Sequence, residues 1–402
     1  MSLQPDSNQY RIETCTGPVE LQSIRTLWVQ WQMHPNADFD FFSTIVQSRP
    51  CVVNPVALVM HHNNVPVALC ALRLERTPLQ LSFGYFKYTH ETLLQLTVIY
   101  GGLMGTWNDS SAEVLIRHLR KLMKSDHIDT VYLAAMSHEH PVYRAAHRLV
   151  PALLRDIVLK NNLHWWTDLD CSFEQFSKKS SAKHRSQLRN KERKLVETLA
   201  TPLQVKIFQT TDDVALFCSL AESIAQKTYL RGFGEGFYDN QEMRNRLNLS
   251  ARKQWMRGYV LYAGETPCTF WLGTLYNHVF YLDYTGFDAA FKEYAVGQIL
   301  FVKMIENLCA AGSVTGLDFG FGDAEYKQRY GDRNWEETDL YLFNGTPLML
   351  LSNLTRKTVA VARTATKKIL KRFALFERIK KYWRQSAQKA ATNFKHGEKG
   401  IE

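Results

Sequence analysis

Apolar positions along the chain switch repeatedly between the alternating pattern of strands and the pattern of helices, with about 3.6 residues per turn. In the first part, two alternating runs flank the turn His62-Asn63-Asn64, and Val114, Leu115, Leu119 and Leu122 form an apolar stripe at helical spacing. The predicted elements are a helix over 21–32, strands over 56–61 and 65–73, a helix over 110–125 capped by Ser110 or Ser111, a strand over 130–136 and a short helix from Pro141. This order predicts a first domain over residues 1–165.

A second set of elements follows from about residue 164 and predicts a second domain over residues 166–345. Its predicted elements are strands over 168–171, 205–208, 258–263, 269–276, 278–287, 315–321 and 338–343, and helices over 177–199, 212–227 and 296–311. Helices that alternate with a meander of strands predict an α/β (α+β) fold, used twice, in which a mixed, largely antiparallel sheet is flanked by helices. Residues 346–402 are predicted to form a basic, helical tail.

The positive charge of the chain is concentrated in this tail. The whole sequence has 49 Lys+Arg and 39 Asp+Glu, a net charge of +10, and residues 346–402 hold 14 of the basic and 3 of the acidic residues. The tail therefore carries +11 and residues 1–345 carry −1. A neutral body does not favour a DNA-binding protein, whereas the tail is either solvated or directed to an anionic surface.

The expected compartment is the cytoplasm. The seven cysteines include no CxxC pair and their odd number does not suit a disulfide framework. No stretch is apolar enough for a membrane span, and residues 1–14 lack the pattern of a secretion signal.

The richest chemical pattern lies between Tyr281 and Tyr330. A strand is followed by a helix with Gly297 in its first turn, where free N–H groups and the helix dipole attract a pyrophosphate. The next strand is expected to place Asp318, Gly320 and Gly322 on one face, because glycine in a strand lets a ligand or another backbone approach closely. A tightly crossed sheet with Asp318 bonded to neighbouring backbone explains the same pattern equally well.

Three runs in this segment resemble the signature of GNAT-superfamily acetyltransferases associated with exopolysaccharide or cellulose biosynthesis. The runs are Tyr284-Thr-Gly286-Phe-Asp288, Gly297-Gln298-Ile-Leu300 and Asp318-Phe-Gly320-x-Gly322-Asp-x-x-Tyr326-Lys327. These enzymes are similar in turn to the Fem-type peptidoglycan aminoacyltransferases, which carry two GNAT-like domains in tandem. The resemblance covers about residues 177–343 and implies that residues 1–165 are a degenerate first GNAT-like domain.

The resemblance also implies roles for individual residues. The acyl donor, acetyl-CoA or another acyl-CoA, is expected to contact Tyr284, Gly286, Gly297, Gln298, Gly320 and Gly322, and its pantetheine arm is expected to enter where strands 279–287 and 315–321 splay apart. Asp318 is expected to act as the general base and Tyr326 to protonate the leaving thiolate, with Tyr330 as the alternate. Lys327 is expected to stabilise the oxyanion or to bind an anionic acceptor; a surface ion pair with Asp323 or Glu325 is the plainer alternative. Arg185 and Arg189, on the basic helix, match family arginines and are expected to bind substrate.

Three other features allow more than one interpretation. The glycine-rich segment around Arg231 is expected to be a mobile loop, with Arg231 contacting the acceptor. His138-Glu-His140 is better explained as a loop at a strand end than as a metal site, and no metal is expected. Ile369, Leu370, Phe373, Phe376, Ile379 and Trp383 recur at helical spacing among basic residues, which fits either an interfacial helix on an anionic membrane or a helix packed on the body.

The leading hypothesis is therefore a cytoplasmic, peripherally membrane-associated acyltransferase. It would acylate an amine or hydroxyl of a saccharide, a peptidoglycan precursor or a lipid-linked acceptor. The usual glycine loop is absent before Gly297, so charged tRNA remains an alternative donor, as in Fem-type enzymes. A non-catalytic adaptor with the same fold is the third hypothesis.

Overall fold

The computed structural model describes residues 9–83, 86–156, 161–228 and 231–372. The strands are β1 (Tyr10–Thr16), β2 (Val52–His62), β3 (Val65–Phe83), β4 (Phe86–Gly105), β5 (Thr130–Ser137), β6 (Asn161–Asp168), β7 (Leu203–Phe208), β8 (Met256–Ala263), β9 (Thr266–Tyr276), β10 (Val279–Phe287), β11 (Gly316–Phe321) and β12 (Arg333–Phe343). The helices are α1 (Gly17–Ser23), α2 (Arg25–Trp31), α3 (Phe39–Ser48), α4 (Asp109–Ser125), α5 (Pro141–Leu149), α6 (Phe173–Ser177), α7 (Ala182–Leu199), α8 (Asp213–Ala225), α9 (Gln241–Arg252), α10 (Val296–Ala310), α11 (Glu325–Tyr330) and α12 (Pro347–Arg372). In the described ranges, no helix is both long and apolar enough to cross a bilayer.

The chain divides into two compact units. The first comprises the described residues of Met1–Asn162 and Glu336–Leu370, and the second is built on Leu163–Trp335. The sequence assigned 336–345 to the second domain, but in the structure these residues lie in the first unit, because β12 pairs antiparallel with β5 there, from Glu337↔Ser137 to Phe343↔Thr130.

The first unit has a sheet in the order β1-β2-β3-β4-β5-β12. All its neighbouring strands are antiparallel except β4 and β5, which are parallel and are connected by α4. The apolar stripe of α4, with Leu115, Ile116 and Leu119 fully buried, packs together with α5 on one sheet face. Trp28 and Phe42 lie in a second core cluster formed with α1 to α3.

The second unit repeats this arrangement. Its sheet has the order β6-β11-β10-β9-β8-β7, antiparallel except for β10 and β11, which are parallel and are connected by α10. One core cluster contains α10 and residues of α6, α7 and α11. A second cluster contains residues of α8 and α9. The predicted fold class, a mixed, largely antiparallel sheet flanked by helices, is confirmed.

Several element boundaries differ from the sequence expectations. The helix expected over 177–199 begins at Ala182, because the Ser181 side chain caps it by accepting from His184 N at 3.2 Å. The helix expected over 21–32 is broken at Ile24. The strand expected over 168–171 is wrong, since β6 ends at Asp168. The cap of α4 is Asn108 rather than Ser110 or Ser111.

Some elements of the structure were not predicted, and part of the predicted tail can be compared with it. The sequence did not predict β1, β4, β6, α3, α6, α9 and α11. The tail is helical as expected as far as Arg372. Of the apolar residues expected along the tail, Phe373, Phe376, Ile379 and Trp383 lie outside the described residues.

Candidate active site

The parallel strands β10 and β11 of the second unit separate after a short paired stretch. They pair only at Val279↔Gly316, Phe280↔Leu317 and Tyr281↔Asp318, although both strands continue beyond that point. Irregular register occurs on both strands just past it, between Leu282 and Tyr284 on one and between Asp318 and Gly320 on the other. The expected splay is therefore present, and it leaves backbone groups of both strands unpaired with each other.

Two carboxylates lie at this separation. Tyr281 pairs with Thr274 in the register of β9 and with Asp318 in the register of β11, and the Thr274 hydroxyl donates to Asp283 Oδ2 at 2.7 Å. These four side chains lie on the sheet face of the α8 and α9 cluster. The charge of Asp318 adds to the effect of burial in raising the pKa of the Tyr281 phenol to about 12.

Asp283 is exposed to solvent and is also partly enclosed by neighbouring protein groups, as is typical of a residue in a cleft. Its side chain is exposed on β10, yet desolvation by the surrounding protein raises the pKa of its carboxyl. The Asp318 charge acts in the same direction, whereas Arg246 and the Thr274 hydrogen bond oppose it. A carboxyl with a raised pKa is a better proton acceptor, which makes Asp283 a candidate general base. Sequence analysis did not select Asp283, which lies at the irregular register between Leu282 and Tyr284.

Asp318 is held by two hydrogen bonds to the same oxygen. His164 Nε2 and Gly320 N both donate to Asp318 Oδ1 at 2.7 Å, and Asp318 is 7 % exposed. His164, on β6, is 1 % exposed and its ring stacks on Trp335 with the centroids 4.5 Å apart. The interpretation of Asp318 as bonded to neighbouring backbone thus describes one of its contacts, and His164 is a site residue that the sequence did not indicate.

Lys327 fixes the end of β11. Its Nζ donates to the carbonyls of Phe319 at 2.7 Å, Gly320 at 3.2 Å and Phe321 at 2.6 Å. Burial lowers the pKa of the ammonium to about 8, and the charges of Asp318 and Asp323 act in the opposite direction. With three carbonyls accepting from it, the ammonium positions the strand end. A direct role for Lys327 towards substrate stays a prediction.

The N-terminus of α10 lies on the other sheet face, and no described side chain caps it. Ala295 precedes it in the left-handed region, at φ 55°, and its first turn contains no acidic residue. Gln298 N donates to Ala295 O at 2.9 Å. A Cβ built on Gly297 would meet only Thr269 Oγ1, at 3.8 Å, so the space beside Gly297 is open. Such a terminus can receive a phosphate group.

Tyr326 lies close to this helix end. Its ring centroid is 5.5 Å from that of Trp271, whose Nε1 donates to Gly297 O at 3.0 Å. Burial raises the pKa of the Tyr326 phenol, which keeps it protonated and able to donate. Tyr330, the alternate, is 4 % exposed and its ring stacks on Phe176 in the core.

The structure shows how the other predicted glycines and Tyr284 contribute to backbone conformation and packing. A Cβ on Gly286 would lie 2.7 Å from the Phe270 ring, so this glycine permits close packing. Gly320 and Gly322 adopt φ of 63° and 99°, which L-residues rarely adopt. The regular strand expected through Gly322 is wrong, since β11 bulges after Asp318 and ends at Phe321. Tyr284 packs edge-on against Phe237.

The three predicted arginines are not brought together. Arg185 donates to the carbonyls of Ser177 and Ser180, and Arg189 is exposed on α7. Arg231 donates to Glu222 Oε2 at 2.8 Å and to Phe237 O at 2.6 Å, and its expected contact with the acceptor stays a prediction. The ion pair and hydrogen bonds of Arg231 therefore join it to α8 and to the backbone of Phe237.

The equivalent position in the first unit is closed. The N-terminus of α4 has a capping box, in which Asn108 Oδ1 accepts from Ser111 N and Ser111 Oγ accepts from Asn108 N, both at 2.9 Å. Asp109 places a negative charge in its first turn. Both features oppose an incoming anion, so the helix that follows the parallel strand presents an open terminus only in the second unit.

Residues 182–328 match the family model described as "Acetyltransferase (GNAT) domain". The second unit thus contains a GNAT domain. Among curated proteins, none matches the sequence of this chain.

Solved structures with a similar fold exist at low sequence identity. The crystal structure of FemX is 10% identical, with a TM-score of 0.53, and the match covers 84% of this chain and 99% of that chain. This likeness shows a shared fold. A tandem GNAT protein from the clavulanic acid biosynthesis pathway is also 10% identical, with coverage of 84% and 99% and a TM-score of 0.49.

Proposed function

We propose that the second unit transfers an acyl group from a coenzyme A thioester to an amine or hydroxyl. The observation that carries this proposal is the combination of an uncapped α10 terminus with the separation of β10 and β11, the two strands that α10 connects. The first supports a pyrophosphate site, and the second supports a path for an extended donor arm that pairs with free backbone groups. The GNAT domain over 182–328 supports the same reaction class.

The residues present fit this donor. The amides at the start of α10, including that of Gly297, would hold the pyrophosphate, and the acidic residue that blocks α4 has no counterpart in the first turn of α10. Acyl-coenzyme A, when bound, would supply a thioester that is reactive towards nucleophiles. No group of three or more His, Cys, Asp or Glu that could hold a metal ion occurs in the described ranges.

The chain's own residues would move two protons. Asp283 accepts the proton that the acceptor amine or hydroxyl loses as its new bond to the acyl carbon forms. Tyr326 donates its proton to the sulfur as the carbon–sulfur bond breaks. Asp318, held by His164, keeps a second negative charge beside Asp283, and this charge raises the pKa of Asp283 further. We assign the base role to Asp283 over Asp318, since Asp318 is buried and its Oδ1 already accepts two hydrogen bonds.

The proposed acceptor is a saccharide, a peptidoglycan precursor or a lipid-linked intermediate, and the acyl group is acetyl. This part of the proposal is supported by the resemblance of the runs around Gly297 and Asp318 to enzymes of polysaccharide and cell-envelope biosynthesis. The exposed acidic group at the cleft, Asp283, suits an acceptor that has to lose a proton.

Gly297 offers a direct test of the donor site. We expect acetyl-CoA at about 100 times its dissociation constant to stabilise the full chain by about 2.7 kcal/mol, seen as a higher melting temperature. Gly297→Asp should abolish this shift, because it places a negative charge at the pyrophosphate position. Gly297→Ala is the matched control and should keep the shift, because its Cβ meets only Thr269 Oγ1 at an ordinary contact distance.

A wild-type melting temperature unaffected by acetyl-CoA and by free coenzyme A would refute the coenzyme A donor. The charged-tRNA donor would then be the proposal to test next, followed by the non-catalytic adaptor. A shift retained in Gly297→Asp would place the donor elsewhere on the chain.

A further inference from the structure

Helix α12 is attached to the first unit by one of its sides. Met349 and Asn353 are each 1 % exposed. Asn353 Nδ2 donates to the carbonyls of Leu153 at 2.7 Å and Arg155 at 3.1 Å. One turn further on, Arg356 pairs with Asp156 at 2.8 Å. The first three turns of α12 are therefore a fixed part of the unit.

The opposite side of α12 is apolar and exposed. Leu351, Leu354 and Val361 are 62 %, 55 % and 64 % exposed. Their spacing places them on one side of the helix, together with Leu348, at 43 % exposure, and with the uncharged Thr355 and Thr358 between them. A cluster of solvent-exposed apolar side chains on a fixed helix is typical of a binding surface for a protein or a membrane.

The charge of the surrounding sequence indicates the kind of partner. All 14 basic residues of the tail lie from Arg356 onward, against 3 acidic residues, while residues 1–345 carry −1. An apolar stripe continued by a strongly basic segment complements an anionic lipid surface, which offers acyl chains below and phosphates above. A second copy of this chain would bring another tail of +11 to the same place, and like charges would oppose that contact.

We propose that α12 docks the protein on an anionic phospholipid bilayer, with Leu351, Leu354 and Val361 inserted between the headgroups. This surface belongs to the first unit and does not depend on the proposed reaction, so it holds or fails independently of the donor site.

Point variants are needed to test this surface, because removal of α12 would also remove Met349 and Asn353 from the unit. The double variant Leu351→Ser/Leu354→Ser changes only exposed side chains. We expect the full wild-type chain to co-sediment with vesicles of phosphatidylglycerol and phosphatidylcholine and not with phosphatidylcholine alone. The double variant should bind the anionic vesicles at least about tenfold more weakly, because it loses two leucine insertions.

Leu216→Ser provides the matched control. Leu216 lies on α8 of the second unit and is 55 % exposed, so its loss should leave vesicle binding unchanged. Melting temperatures equal to that of the wild type would show that the variants fold.

Three results would each overturn the proposal. The first is undiminished binding by the double variant, and the second is equal binding to neutral vesicles. The third is a wild-type dimer in sedimentation velocity that the double variant loses, which would assign the stripe to a second copy of the chain.

Discussion

Asp283 and Asp318 are chemically identical side chains whose surroundings give them different properties. Asp318 is buried and shares one oxygen between His164 and Gly320 N. Asp283 stands on a bulge, is exposed, and has a raised carboxyl pKa because protein surrounds it. A proton acceptor has to be reachable and sufficiently basic, and among these two Asp283 meets both conditions.

Asp283→Asn is expected to lower kcat/KM by about 10²- to 10⁴-fold, the usual contribution of a general base. Because the pKa of Asp283 is raised, wild-type activity should fall as the pH drops through that raised value, when the carboxyl becomes protonated. Release of free thiol from acetyl-CoA, measured with a panel of amines and sugars across pH, checks both effects.

Two further variants are compared with Asp283→Asn in the same assay: Asp318→Asn tests the other carboxylate, and Glu265→Gln is the control. Glu265 is exposed in the turn between β8 and β9, so its change should leave kcat/KM unaffected. An Asp318→Asn variant that loses more activity than Asp283→Asn would return the base role to Asp318.

At the scale of elements, two helices with the same place in their units differ at one end. α4 and α10 each connect a pair of parallel strands, but α4 begins with a capping box and α10 begins without a side-chain cap. A capped terminus stabilises the fold, whereas an uncapped one is available to a ligand. The first unit therefore uses this helix end for stability and the second offers it for binding.

Asn108→Ala is expected to destabilise the chain by about 1 kcal/mol, because it removes the acceptor for Ser111 N and also the hydrogen bond from Nδ2 to the Tyr10 hydroxyl. The stabilisation by acetyl-CoA should be unchanged. Urea unfolding with and without the ligand measures both quantities. Ser110→Ala changes a serine of the same first turn that is neither member of the capping box, and it should stay within about 0.5 kcal/mol of wild type. An equal loss in both variants would show that Asn108 is not the cap.

The same scale shows how far local sequence reaches. The turn at Asn63 and Asn64 was correctly placed between β2 and β3, because both residues tolerate the positive φ that the turn requires. The separation of β10 and β11 was implied by the resemblance to GNAT acetyltransferases and not by local sequence. The roles of the glycines were not anticipated, since Gly320 serves a bulge and Gly286 serves a close approach to Phe270, and a regular strand pattern shows neither.

For the whole molecule, burial controls the chemistry of the seven cysteines. All seven are free thiols. Cys15, Cys70, Cys218 and Cys268 are buried in four different core clusters, and burial raises the pKa of each thiol, to about 11 for Cys218 and about 12 for Cys268. A thiol reacts as the thiolate. These four thiols are therefore unreactive for two reasons: reagents cannot reach them, and their raised pKa keeps them protonated.

We therefore expect at most three thiols, those of Cys51, Cys171 and Cys309, to react with a disulfide reagent in the native chain at pH 8. All seven should react in denaturant without prior reduction. Fewer than seven in denaturant would indicate a disulfide, and more than three in the native chain would contradict the described packing.

The sequence by itself determined the repeated α/β pattern, the strand–helix–strand unit around Gly297 and the basic tail, because each depends on local periodicity or on a count of charges. Tertiary structure decided which side chains meet. His164 and Asp318 lie 154 residues apart and are joined only because β6 pairs with β11. Lys327 holds a strand end, Arg231 turns to Glu222 and β12 pairs with β5, each through a contact between residues that local sequence does not relate. Interactions between residues close in sequence determine the helices and strands, whereas burial and strand pairing in the tertiary structure determine which residues come into contact.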